Sequence, residues 1–476
     1  MTFSREIEAF IKDFVKDLEE NNVAVFAGAG MSKSCGYVDW PELLRDIADE
    51  LGLKIEKEHD LISLAQFHVN ERKSSAGLAK KILQEFSEQA EVSAVHEILA
   101  RLPIGTFWTT NYDVLIEDAL KQACKVADVK HSVSQMNTTR PKRDAVVYKM
   151  HGDVTVANEA VIYKQQYECY YKTHAPFITA LSGDLVSKTF LFVGFSFTDP
   201  NLDYVLSRLH SSQPMRQHYC FMRKEVILDD DDAEVKAYKA RKQVLRVDDL
   251  KRFGIQTLLV DEYADIPRIL EAIEIRFRKK TIFISGSAEE FGNWSRQDGQ
   301  EFIHALSAAL VREGFRVVNG FGWGIGSAVI NGALEAIYAN PEKLSEDQLV
   351  MRPFPQFATS SQNLPQLWEE YRQRMISLAG IAIFVFGNKQ VDGGIVEAGG
   401  VVREFEIACQ HGLVSLPVGA TGYAAKTIYA EIKANPPSYI TENKWLESSV
   451  DELADTTLPY SELVEKLVQA VKKLNR

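Results

Sequence analysis

Apolar positions along this chain fall into two patterns, short unbroken runs and longer stretches at helical spacing. Ile7, Phe10, Ile11, Phe14, Val15 and Leu18 share one face and predict an amphipathic helix over 4–20. Val23 to Ala27 follows as a continuous apolar run and predicts a buried strand. The alternation then repeats. Pro41 starts a helix through Leu43, Leu44, Ile47 and Leu51, and 57–100 is helical in pattern with Gly77 a weak point. Strands are predicted at 104–110, 145–150 and 190–193, further strand-like material at 245–261, and a helix at 266–277. The second half carries strands at 281–284, 315–318, 381–386 and 413–417. Its helices are 298–313, one containing Gly332 and Ala333, and one beginning near Val401. Strands alternating with helices predict an α/β chain of two Rossmann-like domains, each a mostly parallel sheet flanked by helices. The boundary is placed near 280, giving domains of 1–279 and 280–476.

Composition changes this picture little. A net charge of −12 argues against nucleic acid or an anionic membrane surface as main partner. No apolar run approaches a membrane span, and the first twenty residues lack a signal-peptide core, so a cytoplasmic protein is expected. Cys35, Cys124, Cys169, Cys220 and Cys409 are scattered without a Cys-X-X-Cys pair, so neither zinc nor any other metal is expected. Asp229 to Asp232 read as a solvated loop.

The chemistry gathers where strands end. The first strand runs into Gly28-Ala29-Gly30 and Ser32, a turn that serves either as a tight connection or as a phosphate cradle. The later strands end in Asn111-Tyr112-Asp113, in His151-Gly152-Asp153, and in Gly194-Phe195-Ser196 followed by Asp199-Pro200-Asn201. In an open parallel sheet these ends converge on one crevice. Asn111 and Asp113 also read as helix N-caps, and His151 as a core histidine bonded to backbone. All lie on strand-end loops, so truncating Asn111 or His151 is not expected to empty a core. In the second half, Ser285-Gly286-Ser287, the glycines 320, 322, 324 and 326, and Gly387-Asn388-Lys389 occupy equivalent positions.

The motifs at 28–32, 110–113, 151–152 and 194–196 resemble, in order and rough spacing, the NAD-binding core of the sirtuins, over about residues 20–265. The Gly-X-Ser-X-X-Asp-Pro-Asn form at 194–201 resembles the zinc-free, bacterial sirtuin-like branch. The resemblance implies that Gly28, Ala29, Gly30 and Ser32 hold a pyrophosphate and that Asn111 positions water beside the nicotinamide ribose. It implies that Asp113 holds the carboxamide and that His151 is the general base. Gly194 belongs to the last of these turns, Ser196 would face phosphate or adenosine, and Asp199 and Asn201 would brace that turn. The four-cysteine zinc module and the acyl-peptide groove of the deacylases are missing, and residues 160–175 are tyrosine-rich instead. NAD+ is therefore expected as substrate, not cofactor, with water as acceptor. Transfer of ADP-ribose to protein, and nucleotide binding without chemistry, stay open.

Residues 281–476 resemble the SLOG family through Ser285-Gly286-Ser287, the glycine run, Arg372, and Gly400-Val401-Val402-Arg403-Glu404. Val401 stands where the nucleotide-processing members carry threonine, which implies sensing without hydrolysis. Phosphate would lie on Gly286, Gly322 and Gly324, with Arg372, Lys389 and Arg403 adding charge and Glu404 accepting ribose hydroxyls. Arg403 and Glu404 also read as a solvent-facing helix start. The joint layout resembles the Thoeris antiphage effectors. That implies NAD depletion and abortive infection, triggered by a cyclic ADP-ribose-type signal from a TIR-domain partner, and a homo-oligomer of four or more chains.

Overall fold

A computed structural model describes residues 3–88, 90–197, 199–209, 216–226, 232–355, 357, 363–440 and 444–475. The chain forms two compact units, Met1–Glu274 and Ile275–Arg476. Each is an α/β unit built on a parallel sheet.

Among the described residues the first unit has seven parallel strands. They are β1 (Val23–Ala27), β2 (Thr106–Thr109), β3 (Ala127–Lys130), β4 (Ala145–Lys149), β5 (Thr189–Val193), β6 (His218–Arg223) and β7 (Ile255–Val260), in the order β3-β4-β2-β1-β5-β6-β7. Every position of β1 and β5 is buried, which is why 23–27 and 190–193 read as unbroken apolar runs. The chain builds outward from β1 in one direction through β2 and in the other through β5. The carboxyl end of β1 is thus a topological switch point, where such sheets bind ligands. The helix Arg5–Glu19 buries Ile7, Phe10, Ile11, Phe14, Val15 and Leu18, and Ser4 caps it.

In the first unit β3, β6 and one helix differ from the sequence pattern. β3 carries Asp128 and Lys130 on its inward face, where they pair at 2.8 Å, so an apolar alternation never forms. β6 likewise departs from an apolar run, because buried His218 opens it and exposed Arg223 closes it. Residues 245–251 lie in the helix Ala233–Lys251, of which Leu250 alone is a buried side chain, so the hydrophobic face is too thin to read. Asp232 caps that helix; Asp229 to Asp231 lie outside the described residues.

β6 also carries a pH-sensitive contact. The Phe190 amide of β5 donates to Nδ1 of buried His218 at 3.1 Å, which requires a neutral ring. Burial, helped by Arg216, pushes this imidazole down from 6.5 to about 4; burial likewise takes His96 to about 4. The unfolded chain therefore binds protons that the folded chain refuses. Stability is full above pH ~6.5 and is lost as pH falls towards about 4, by about 3 kcal/mol per ring at the lower end. Denaturation midpoints between pH 7.5 and 5 should fall on acidification, and His218→Gln should flatten the slope. An unchanged slope contradicts this assignment.

In the second unit β8 (Thr281–Ser287), β9 (Arg316–Asn319), β10 (Leu349–Met351), β11 (Ile381–Phe386) and β14 (Val414–Pro417) form a parallel sheet in the order β10-β9-β8-β11-β14. β12 (Asn388–Val391) and β13 (Gly394–Glu397) form an antiparallel hairpin. Asp392 and Gly393 both have positive φ at its tip, which makes these residues a tight hairpin turn. The following helix, Gly399–Gln410, has both Gly399 and Gly400 inside its first turn. Here too β8 and β11 are central neighbours from which the chain departs to opposite edges.

Candidate functional site

The glycines of the first crevice are required by the protein's own backbone. A Cβ on Gly28 would stand 2.5 Å from the Gly194 carbonyl oxygen, and one on Gly30 would stand 2.9 Å from it. Gly194 has φ +63°, and its Cβ would stand 2.2 Å from the Met31 nitrogen. The turns after β1 and β5 interlock, with Gly28 N donating to Val193 O and Gly30 N to Gly194 O, both at 2.9 Å. This close approach fixes the end of β1 against the end of β5.

Three polar side chains meet beside that junction. Ser32 Oγ donates to Asp113 Oδ2 at 2.6 Å. Asn111 Nδ2 donates to Ser32 Oγ at 2.8 Å and to Gly28 O at 3.0 Å. Asp113 Oδ1 also accepts from the Leu115 amide at 3.1 Å. Asn111, half-buried, thereby keeps Oδ1 as an acceptor. Asp113 is buried with both oxygens engaged and offers a nicotinamide carboxamide only its remaining lone pairs. Asn111 and Asp113 thus hold the turn together rather than simply capping a helix, since Val114 precedes the helix Leu115–Gln122. The cavity against Ala29, Ser32, Asn111 and Asp113 measures about 20 Å³, room for roughly one water.

His151, one step along the sheet at the end of β4, is only 1% exposed. Its Nε2 lies 3.4 Å from Asp199 Oδ2 and 3.3 Å from Asn201 Nδ2, and its Nδ1 lies 3.4 Å from the Tyr167 hydroxyl. The Asn201 side-chain NH2 only donates, so Nε2 accepts from it, and the Asp199 carboxylate stands beside the ring as a charge. Burial lowers the His151 pKa and Asp199 opposes that shift, so the ring is a neutral base. The expectation that His151 sits on an open loop is corrected: Tyr167 packs edge-on to it at 5.2 Å and Tyr170 at 6.2 Å, so its truncation leaves a void.

Asp199 accepts from the Asn201 and Leu202 amides at 3.0 Å and also faces the imidazole. Ser196 is exposed, and its carbonyl accepts from Arg246 at 2.8 Å. Tyr167 was visible in the sequence only as part of a tyrosine-rich stretch. It lies in the helix Lys164–Thr173 and, with Asn201, lines a cleft of about 400 Å³ beside Ile62, Tyr171, Ile178 and Tyr204. That volume is in the range of small-molecule sites. Among the described residues no group of three or more His, Cys, Asp or Glu is arranged to hold a metal ion, and no helix is long and apolar enough to cross a membrane.

In the second unit Ser285 Oγ donates to Glu404 Oε2 at 2.6 Å, and Arg372 Nε lies 3.4 Å from Glu404 Oε1. The Arg372 guanidinium lies 5.0 Å from the Phe354 ring centre. Burial raises the Glu404 pKa against the opposing pull of Ser285 and Arg372. Glu404 therefore points into the unit and is no solvent-facing helix start. Arg403, its neighbour, turns away and pairs with Glu369 at 2.6 Å and with Glu406. Lys389 is exposed on β12. Again the glycines serve close approach: a Cβ on Gly322 would stand 2.0 Å from Gly286 O, and one on Gly324 would stand 1.9 Å from Ala288 O. Ser287 Oγ donates to Asn388 O at 2.9 Å. Two asparagines at these strand ends are fully buried. Asn319 donates to Ile284 O and accepts from the Phe321 amide, both at 2.7 Å; Asn388 Oδ1 accepts from the Glu289 and Glu290 amides.

Comparison with known proteins gives these two crevices a family. Residues 105–246 match a SIR2-like domain, and residues 265–474 match the Sir2- and TIR-associating SLOG family. The NAD(+) hydrolase ThsA of Bacillus cereus (strain MSX-D12) is 47% identical over 473 residues, covering 98% of each chain. That of Acinetobacter baumannii (strain 532279) is 47% identical over 438 residues, covering 90% of this chain and 91% of the relative. That of Enterococcus faecium is 41% identical over 478 residues, covering 98% of this chain and 99% of the relative. At this identity over nearly the whole length of both partners, the chain belongs to the family of the NAD(+) hydrolase ThsA, the Thoeris effector.

Proposed function

We propose that this chain is an NAD+ glycohydrolase that releases nicotinamide and ADP-ribose. The observation that carries the reading is the joined Ser32–Asn111–Asp113 cluster at the switch point of a parallel sheet, with a neutral histidine at the next strand end. NAD+ lies across that end. Gly28, Ala29, Gly30 and Ser32 run beside the pyrophosphate, and Gly194, Ser196, Asp199 and Asn201 border the crevice. Cleavage breaks the bond between C1′ and the pyridinium nitrogen, the bonding pair goes to the ring, and nicotinamide leaves neutral. No general acid is needed. The ribose gains oxocarbenium character, as in glycoside hydrolysis. Asn111 Oδ1 orients the attacking water, and His151 takes its proton, with Asp199 stabilising the imidazolium that forms. No metal or cofactor takes part in this scheme.

The second unit, in this reading, binds a cyclic ADP-ribose-type signal made by a TIR-domain partner. Ser285, Gly286, Ser287, Gly322, Gly324 and Gly400 line the phosphate and ribose. Arg372 and Lys389 supply charge, Glu404 accepts ribose hydroxyls, and Arg403 requires release from Glu369 to join them. The cavity of about 20 Å³ at Asn111 supports a resting state that must open before NAD+ enters. The signal opens it only by binding the open arrangement better. NAD depletion in the cytoplasm by a homo-oligomer of four or more chains, ending in abortive infection, completes the proposal.

The test is NAD turnover of the purified chain against a panel of cyclic ADP-ribose isomers differing in ribose linkage. Wild type should be slow alone and activated by one isomer. Arg372→Ala and Glu404→Gln should raise the half-activating concentration at least tenfold while leaving the unstimulated rate unchanged. Full activity without any isomer, unaltered by all of them, refutes the sensor.

A further inference from the structure

Lys149, the last residue of β4, is 0% exposed and has no part in the proposed chemistry. A lysine in the core must have its donors met, and the partners it has chosen are informative. Its Nζ donates to the main-chain carbonyls of Tyr112, at 3.2 Å, and Asp113. It also donates to the carboxylate of Asp153, and Glu117 Oε1 lies 3.3 Å away. Burial works against the ammonium, yet Glu117 and Asp153 outweigh it and hold the Lys149 pKa above its usual value, so the charge is kept.

These partners sit on two different loops. Tyr112 and Asp113 belong to the turn after β2 that carries Asn111. Asp153 belongs to the turn after β4 that carries His151. The Val154 amide donates to Tyr112 O at 2.9 Å, so the two turns meet at one carbonyl that Lys149 also holds. Asp153 is anchored in turn by the Thr155 amide and hydroxyl, at 2.8 and 2.6 Å.

We propose that Lys149 is a positioning residue that fastens the Asn111 turn to the His151 turn, fixing the water-orienting amide relative to the base. The proposal rests on the NAD+ hydrolase reading for its kinetic consequence but not for its structural one. A three-donor ammonium suits the task because it bonds two carbonyls and a carboxylate at once. A mismatch of about 1 Å between reacting groups costs on the order of a hundredfold in rate.

The variant is Lys149→Met with Asp153→Asn in the full-length chain, so that Asp153 is not left charged beside an apolar side chain, while Glu117, whose pKa burial already raises, takes up a proton; Lys149→Met alone risks failing to fold. The double variant should melt cooperatively. With the activating cyclic ADP-ribose isomer present, its kcat should fall about a hundredfold and its KM for NAD+ should change less than threefold. Lost packing alone would lower the melting temperature without this split. Hydrogen exchange gives a readout independent of turnover. Peptides covering 107–116 and 147–157 should both exchange at least tenfold faster, with 189–193 unchanged. Normal kcat in the folded double variant, or faster exchange in neither or only one turn, overturns the proposal. A wild type that consumes no NAD+ refutes the hydrolase reading, and the exchange result still decides the role of Lys149.

Discussion

Nicotinamide release by the activated chain should fall about a thousandfold in Asn111→Ala and by a similar factor in His151→Ala, the range of general-base catalysis with a positioned water. The two variants fail for different reasons. Asn111 is half-buried, so its loss removes the acceptor that holds water and two hydrogen bonds to the Gly28 turn, but little packing. His151 is enclosed by Tyr167, Tyr170 and Asn201, so its truncation also costs stability, about 2 kcal/mol or more by the usual cost of a buried void. Rates should therefore be read well below each variant's melting temperature. In the single-turnover regime both variants should bind NAD+ and leave it intact. Either variant turning over within tenfold of wild type removes that residue from the chemistry.

Gly194→Ala should be the most damaging small substitution in the first unit. Its φ of +63° disfavours any side chain, and the new Cβ would meet the Met31 nitrogen at 2.2 Å, backbone that has no room to move. Left-handed strain and overpacking together cost about 3 kcal/mol. For a unit of this size that is a fall of about 10 °C in melting temperature. Because Gly194 seats the Gly28–Gly30 turn, turnover should fall with it. Gly183→Ala is the matched control: it sits in the helix Ala175–Ser187 with nothing within 4 Å of its Cβ, and alanine there should stabilise by up to about 1 kcal/mol. Calorimetry of both variants checks the contrast. A Gly194→Ala protein that melts with wild type would show that the turns after β1 and β5 do not interlock.

The fold was legible where a strand buried on both faces is also apolar throughout. Residues 23–27, 190–193 and 381–386 are unbroken apolar runs because little else fits a central parallel strand. It was illegible where charge goes inside, as with Asp128 and Lys130 on β3, or where a helix buries a single side chain, as over 233–251. The candidate site was legible as strand-end motifs, since asparagine, aspartate and histidine beside glycine turns are conspicuous. Its wiring was not. That Gly28 and Gly30 pack on Gly194, that Asp199 faces His151, and that Lys149 spans two turns are contacts across 36 to 166 residues of chain, and local pattern carries no trace of them. Arg403 and Glu404 make the same point: neighbours in sequence, they face different partners because consecutive helix positions are about 100° apart.

The most direct test of hydrolysis is a mass balance on the purified chain, counting NAD+ consumed, nicotinamide released, ADP-ribose freed and label left on protein, with the activating cyclic ADP-ribose isomer present. One nicotinamide and one free ADP-ribose per NAD+ lost, with protein unlabelled, is the predicted result. Nicotinamide with ADP-ribose retained on protein would make the chain a transferase. Bound but unconsumed NAD+ under every isomer would make it a nucleotide-binding scaffold, and either outcome contradicts hydrolysis.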